Sequence, residues 1–253
     1  MNINKLLRFS SEAGKLMLQS GGETYRVEET VSRICQSFEV DEVEVFASPT
    51  AVMVSISFND EIHSIVKRIN SRGIDLNMVH NINSLSREIY QSRPSIEICE
   101  KKLKELYSEE HYSFYKNLFY SGVATSTFTI LFGGRFRDVF CAFFIGILTK
   151  IVIINLKKFN LNEFFINALC GCLISILSIV CLHIGLIKDL DKLIAGSIML
   201  LVPGLALTNS IRDLLEGQLV SGLTRAAEAF FIGMSTAIGT GYILHIYLKS
   251  GGF

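Results

Sequence analysis

The chain has 253 residues, room for one large domain or two smaller ones, with 24 Lys/Arg balanced by 24 Asp/Glu and 49% hydrophobic residues. The charge is unevenly spread: residues 1–116 hold 14 basic against 17 acidic side chains, and residues 117–253 hold 10 against 7. Neither part offers the basic surface that a phosphate backbone demands, which argues against nucleic-acid binding. Cys35, Cys99, Cys141, Cys170, Cys172 and Cys181 show no pairing rhythm. Cys170-Gly171-Cys172 is too tight for the usual metal spacing and has no histidine beside it, so free thiols, no metal and no cofactor are expected. The N-terminus, MNINKLLRFSSEAGKL, lacks the apolar core of a signal peptide, so the polar half is expected to stay in the cytosol.

Residues 1–20 read as an amphipathic helix with Leu6, Phe9, Ala13, Leu16 and Met17 on one face, closed by Gly21-Gly22. A second helix from about Glu23 carries Val27, Val31, Ile34 and Phe38 at helical spacing, leaving Glu28, Glu29 and Arg33 for water. The period then changes. Val43–Phe46 forms a strand, Pro49-Thr50 a turn, and Val52, Val54, Ile56 and Phe58 alternate with Met53, Ser55, Ser57 and Asn59 as a half-buried strand. Asn59-Asp60 separates that strand from a hairpin partner, EIHSIVKRI. Asp75 is placed to cap a helix striped by Met78, Ile82, Leu85 and Ile89. Beyond Pro94, Ile96, Cys99, Leu103 and Leu106 mark another amphipathic helix, and residues 1–112 together are expected to form a small cytosolic α+β domain.

Residues 113–253 are different material. Five spans are read at 117–133, 136–156, 162–184, 190–210 and 224–248. Each approaches the ~20 residues that cross a ~30 Å hydrocarbon layer. Gly122-x-x-x-Ser126, Gly171-x-x-x-Ser175 and Gly233-x-x-x-Ala237 suit close helix packing. With the N-terminus inside, eight Lys/Arg flank the inner span ends and five the outer ones, which puts the C-terminus outside. The expected fold class is a multi-span α-helical membrane protein of about five transmembrane helices preceded by the small soluble α+β domain. An odd number of spans hints at completion by another membrane polypeptide.

The stretch MLLVPGLALTNSIRDLLEGQLVSGLTRAAEA breaks an apolar run at Pro203-Gly204 and then fills with charge. Proline removes a helical hydrogen bond and clashes with the preceding turn, at a cost of ~3 kcal/mol. In lipid, such a break survives where protein or a water-filled cavity satisfies it, and transporter sites are often built from interrupted helices. Asn209, Arg212, Asp213 and Glu216 fall at i, i+3, i+4 and i+7 on one helical face; Arg225 and Glu228 stand one turn apart after a Gly217–Gly222 turn. An arginine here can hold a carboxylate, and Asp213 or Glu228 can carry a proton. Residues 216–228 are equally readable as a cytosolic loop. Lys150 is a further intramembrane charge and a pathway candidate, whereas His183 and His245 sit near span ends as interfacial groups. In the polar half the densest polar cluster is SGGETYRVE, with Gly21, Gly22, Glu23, Thr24 and Arg26. No G-x-S-x-G elbow, H-E-x-x-H or P-loop is present.

SGGETYRVEETVSRICQSF followed by VEVFASPTAVMVSI resembles the start of the threonine/serine exporter family, and PGLALTNSIRDLLEGQLVSGLTRAAEA is similar to that family's second signature. The resemblance implies a cytosolic N-terminal domain, five spans and proton-driven export of threonine and serine, or of a dicarboxylate such as succinate. It also implies a split transporter at the cell membrane, in which this longer chain is completed by a shorter membrane partner; a homo-oligomer stays open. No established functional residue carries over. Gly21, Gly22, Glu23, Thr24, Arg26, Pro203, Asn209, Arg212 and Asp213 match the signatures. Two rival readings remain: a membrane-anchored enzyme using the Glu23-Thr24-Arg26 cluster, and a regulatory sensor in which the α+β domain binds a ligand.

Overall fold

The computed structural model describes residues 2–108, 113–159 and 161–251, so the domain limit expected at 112 lies outside the described residues. In chain order the elements begin α1 (Ile3–Gln19), α2 (Thr24–Gln36), β1 (Glu42–Ser48), β2 (Ala51–Phe58), β3 (Glu61–Arg68), α3 (Leu76–Ser92) and α4 (Ile96–Ser108). They continue with α5 (Phe114–Leu131), α6 (Phe136–Lys157), α7 (Glu163–His183), α8 (Leu190–Ile198), α9 (Gly204–Leu215) and α10 (Leu219–Lys249). Packing divides the chain into two compact units. The N-terminal unit joins Met1–Glu109 to Leu205–Ala227, and the helical unit joins Glu110–Gly204 to Glu228–Phe253.

In the N-terminal unit the three strands form an antiparallel meander, with Val54 opposite Val45 on one side and Ile65 on the other. Alternation does what it should: Val52, Val54 and Ile56 are buried while Met53 is exposed. The turn Asn59-Asp60 uses two left-handed residues, with φ of 54° and 62°, the geometry that joins twisted antiparallel strands tightly. Leu6, Phe9, Ala13, Leu16 and Met17 of α1 and Val27, Val31 and Ile34 of α2 share one core with the inner sheet face and with Met78, Ile82, Leu85 and Ile89 of α3. Asp75 caps α3 by accepting the Met78 N–H at 3.0 Å. Glu28, expected in water, is half-buried instead and accepts the Ala47 N–H at 2.8 Å.

The helical unit is built inside out relative to that. Phe140, Phe144, Phe165, Leu169, Phe231 and Ile238 are exposed, whereas Ser121, Thr125, Thr129, Thr149, Ser175 and Ser178 are buried. Water would penalise such an exterior and lipid favours it, because the apolar shell meets hydrocarbon while small polar groups pack helix to helix. Three helices are long and apolar enough to cross a bilayer among the described residues: α6, α7 and α10. The expectation was five. The stretch 117–133 forms most of α5, diluted by serine, threonine and glycine. The span expected at 190–210 is not one helix: α8 has nine residues and the chain restarts at α9 after Pro203, where the missing N–H prevents continuation. The turn expected at Gly217–Gly222 is shorter too. Gly217 at φ 82° ends α9 with Gln218 N–H donating back to Asp213 O at 2.8 Å, so Gly222 already lies in α10, against Leu214 and Ser210 O.

Two of the three small-residue motifs pack as expected. A Cβ on Gly122 would meet Phe143, and one on Gly171 would meet Thr236 O at 2.8 Å. Around Gly233, by contrast, there is open space. Thr125 Oγ1 donates to Ala142 O at 2.8 Å and Ser126 Oγ to Val139 O at 3.0 Å, tying α5 to α6.

Candidate functional site

The site starts from a local deficit in the N-terminal unit. Helix α1 ends at Gln19, and Gly21 just beyond it, with φ of 90°, lets Gly22 N–H donate to Met17 O at 3.0 Å. Helix α2 begins two residues later with Glu23 in the capping position, and the Glu23 side chain makes no cap hydrogen bond. A turn this short leaves the Gly21 and Gly22 carbonyls and the first N–H groups of α2 without partners in their own helices.

Helix α9 and the start of α10 supply those partners. Asn209 Nδ2 donates to Gly21 O at 2.9 Å, and Arg225 Nη2 donates to Gly22 O at 2.8 Å. Thr24 N–H donates to Asp213 Oδ1 at 3.2 Å, so the cap that Glu23 withholds comes from a residue 189 positions away. Asp213 Oδ2 faces Arg225 Nε at 3.2 Å, with side chains 0% and 7% exposed. The negative charge thus sits at the positive end of the α2 dipole, beside a guanidinium. Burying such a pair is costly unless each ion gains further partners, and the polar turn contributes the Thr24 N–H to Asp213 and the Gly22 carbonyl to Arg225.

A second layer surrounds this centre. Glu23 lies between Arg212 Nη1 and Arg26 Nε, the latter at 3.3 Å. Glu28 accepts from both Ala47 N–H and Gln218 Nε2 at 2.8 Å, and Ser221 Oγ donates to Ala47 O at 3.4 Å. Burial pushes the Glu28 carboxyl above its ordinary range and the nearby Asp213 charge adds to the rise, while its two hydrogen-bond donors pull the other way.

The structure therefore brings Gly21, Gly22, Glu23, Thr24 and Arg26 together with Asn209, Arg212, Asp213 and Arg225. Glu216 is exposed. Pro203, Glu228 and Lys150 belong to the helical unit, where Lys150 is half-buried on α6. Gln218, Ser221 and Glu28 were not singled out in advance as site residues. The signal that could have found them is position: Gln218 is polar between α9 and an apolar helix, Ser221 is polar in that helix's first turn, and Glu28 closes the SGGETYRVE cluster. Among the described residues no group of three or more His, Cys, Asp or Glu is placed to hold a metal. What the arrangement can do is electrostatic: hold, exchange or release a carboxylate at a helix N-terminus lined by arginine.

Comparison with known proteins adds to this geometry. Residues 8–247 match the family model described as “Putative threonine/serine exporter”. The chain is 22% identical over 241 residues to the “Probable succinate transporter subunit YjjP” of Escherichia coli (strain K12), covering 95% of this chain and 94% of that protein. It is 23% identical over 236 residues to the protein of that name in Klebsiella aerogenes, covering 92% and 90%. A “Probable threonine/serine exporter” of Mycobacterium tuberculosis is 22% identical over 244 residues, 94% of this chain but 46% of that relative. No solved structure matches the chain.

Proposed function

The chain belongs to the threonine/serine exporter family, and from that premise we propose that it is one subunit of a proton-coupled exporter of small carboxylate-bearing solutes, either threonine and serine or a dicarboxylate such as succinate. Supporting this reading is the family match over residues 8–247, together with helices whose exteriors suit lipid. The relatives named as subunits, and the relative about twice as long, favour a shorter membrane partner that completes the transporter. We read residues 1–112 as cytosolic and the cell membrane as the location. Five membrane helices are assigned to residues 113–253, with α5 and the short α8 added to α6, α7 and α10.

In this reading Asn209, Arg212, Asp213 and Arg225 act with the Gly21–Arg26 turn on the solute: an arginine steadies its carboxylate and Asp213 couples proton movement. Glu216, exposed just past the end of α9, joins them. Pro203, Lys150 and Glu228 are proposed as pathway residues of the helical unit. The test is counterflow in proteoliposomes holding this chain and its partner, with labelled serine, threonine and succinate. Asp213→Asn is expected to abolish proton-coupled export while the protein still inserts; unchanged transport ends the assignment.

A sensor reading draws on one further observation, an open cavity of about 760 Å³ in the N-terminal unit lined by Phe9, Leu16, Ile65, Leu103, Arg8 and Lys104 among others. Its mark would be a ligand-dependent change in flux that the cavity-filling Leu103→Trp removes.

A further inference from the structure

The surroundings of the Asp213 carboxylate are not particular to Asp213. It accepts one backbone N–H, from Thr24, and faces one guanidinium edge, from Arg225. An ionised carboxylate has room for about four hydrogen bonds. The hydroxyl of the same Thr24 is fully buried and makes no hydrogen bond among the described residues. A buried hydroxyl is normally satisfied, so one left idle beside a helix N-terminus is an unused donor at a place already suited to anions. Arg225 is held there independently of Asp213, because its Nη2 is committed to the Gly22 carbonyl. Arg26 and Arg212 stand at the rim, both against Glu23. Three arginines therefore face the turn, with Glu23 and Asp213 as their counter-charges and Glu28 engaged by Gln218 and Ala47.

The occupant is also on a separable element. Helix α9 has 12 residues, preceded by Pro203 and followed by Gly217 in a left-handed conformation. The bond between Arg225 Nη2 and the Gly22 carbonyl involves no atom of α9.

We propose that the place Asp213 fills at the N-terminus of α2 is a binding site for the carboxylate of the transported solute, with Asp213 as its internal occupant. This rests on the exporter reading, since a carboxylate is the group that threonine, serine and succinate share. The incoming carboxylate takes the Thr24 N–H and the Arg225 Nε edge and adds the Thr24 hydroxyl, which Asp213 does not use. The SGGET turn thus becomes part of solute recognition, and departure of α9 reports occupancy. A purely structural lock requires Asp213 to stay in place; an occupied seat requires that small carboxylates compete with it.

The experiment uses the full chain in lipid nanodiscs with Ser210→Cys. Ser210 is buried on α9 and its hydroxyl donates within its own helix, to Leu207 O at 3.1 Å. Maleimide labelling at this position, corrected for the chain with native Ser210, is expected to be slow alone. Acetate, succinate or serine should speed it at least fivefold, and acetamide should not. Labelling indifferent to carboxylates overturns the proposal. In a second arm Asp213→Ala is expected to bind acetate at least tenfold more tightly than the native chain by calorimetry, and adding Arg225→Gln should abolish the gain. An Asp213→Ala chain that melts earlier yet gains no affinity makes Asp213 a structural lock and removes the site. Export by the complete transporter with no carboxylate effect on labelling removes this site and leaves the exporter reading standing. Carboxylate-driven labelling without export of any of the three solutes keeps the carboxylate site and removes the transport reading.

Discussion

In the N-terminal unit a buried carboxylate meets a guanidinium and a backbone N–H 189 positions away, and the neighbouring Asn209 reaches Gly21 across 188. In the helical unit buried hydroxyls mostly bond back one turn: Ser121 to Asn117 O, Thr129 to Thr125 O and Ser175 to Gly171 O. Both units bury polar atoms, yet the first does so with a charged pair bonded to a distant turn and the second mostly with hydroxyls bonded within their own helix. Each pattern suits a different surrounding. Hydrocarbon rewards helices that satisfy themselves before they meet, whereas a water-facing domain can hold a charged pair if every partner is in place. Loss of one partner should therefore be severe in the first unit, and added bulk should be the hazard in the second.

The largest expected effect breaks the charge cluster. Arg225→Leu leaves Asp213 buried without its guanidinium and is expected to cost about 3–5 kcal/mol. The pair Asp213→Leu with Arg225→Leu should cost less than the sum of its parts, read as a double-mutant cycle in thermal unfolding of the detergent-solubilised chain. Next come the glycines. A Cβ on Gly196 would collide with the Thr129 backbone and one on Gly239 with Ala168 O, so Gly196→Val and Gly239→Val should each cost about 1–3 kcal/mol. Gly241→Ala, facing open space, should be neutral or gain about 0.5–1 kcal/mol, and equal losses at all three positions would erase the contrast.

Smaller still, Asp75→Ala removes a local cap and should cost about 1 kcal/mol, measured the same way. The smallest effect is a pH slope. Because burial raises the Glu28 carboxyl above its ordinary 4.5, the folded chain binds more protons than the unfolded one between the two values. This group's contribution to stability is therefore greatest at acid pH and falls as pH rises through that window. Glu28→Gln should flatten the slope of melting temperature against pH, and an unchanged slope assigns it to other groups.

Legibility followed the range of the interactions. Alternation along Val52–Ile56 and the helical stripes of α1, α2 and α3 were readable because each pattern repeats within one element and faces one core. The polar face of α9 was readable for the same reason, and Asn209 with Asp213, four residues apart, do share its buried side. Its partner was not readable, because helical period says which way a side chain points and nothing about which distant turn lies opposite. Glu28 shows the limit: its spacing puts it beside water, yet it is half-buried with Ala47 and Gln218 as partners.

The sequence by itself determined the presence of lipid-suited helices, the break at Pro203, and the pairing of two signature stretches with one family. Those properties come from composition, local period and the missing proline N–H, each carried by neighbouring residues. Only the tertiary structure decided that Asn209, Asp213 and Arg225 close the α1–α2 turn. That outcome depends on unsatisfied peptide groups at two helix ends finding donors and acceptors nearly two hundred residues away.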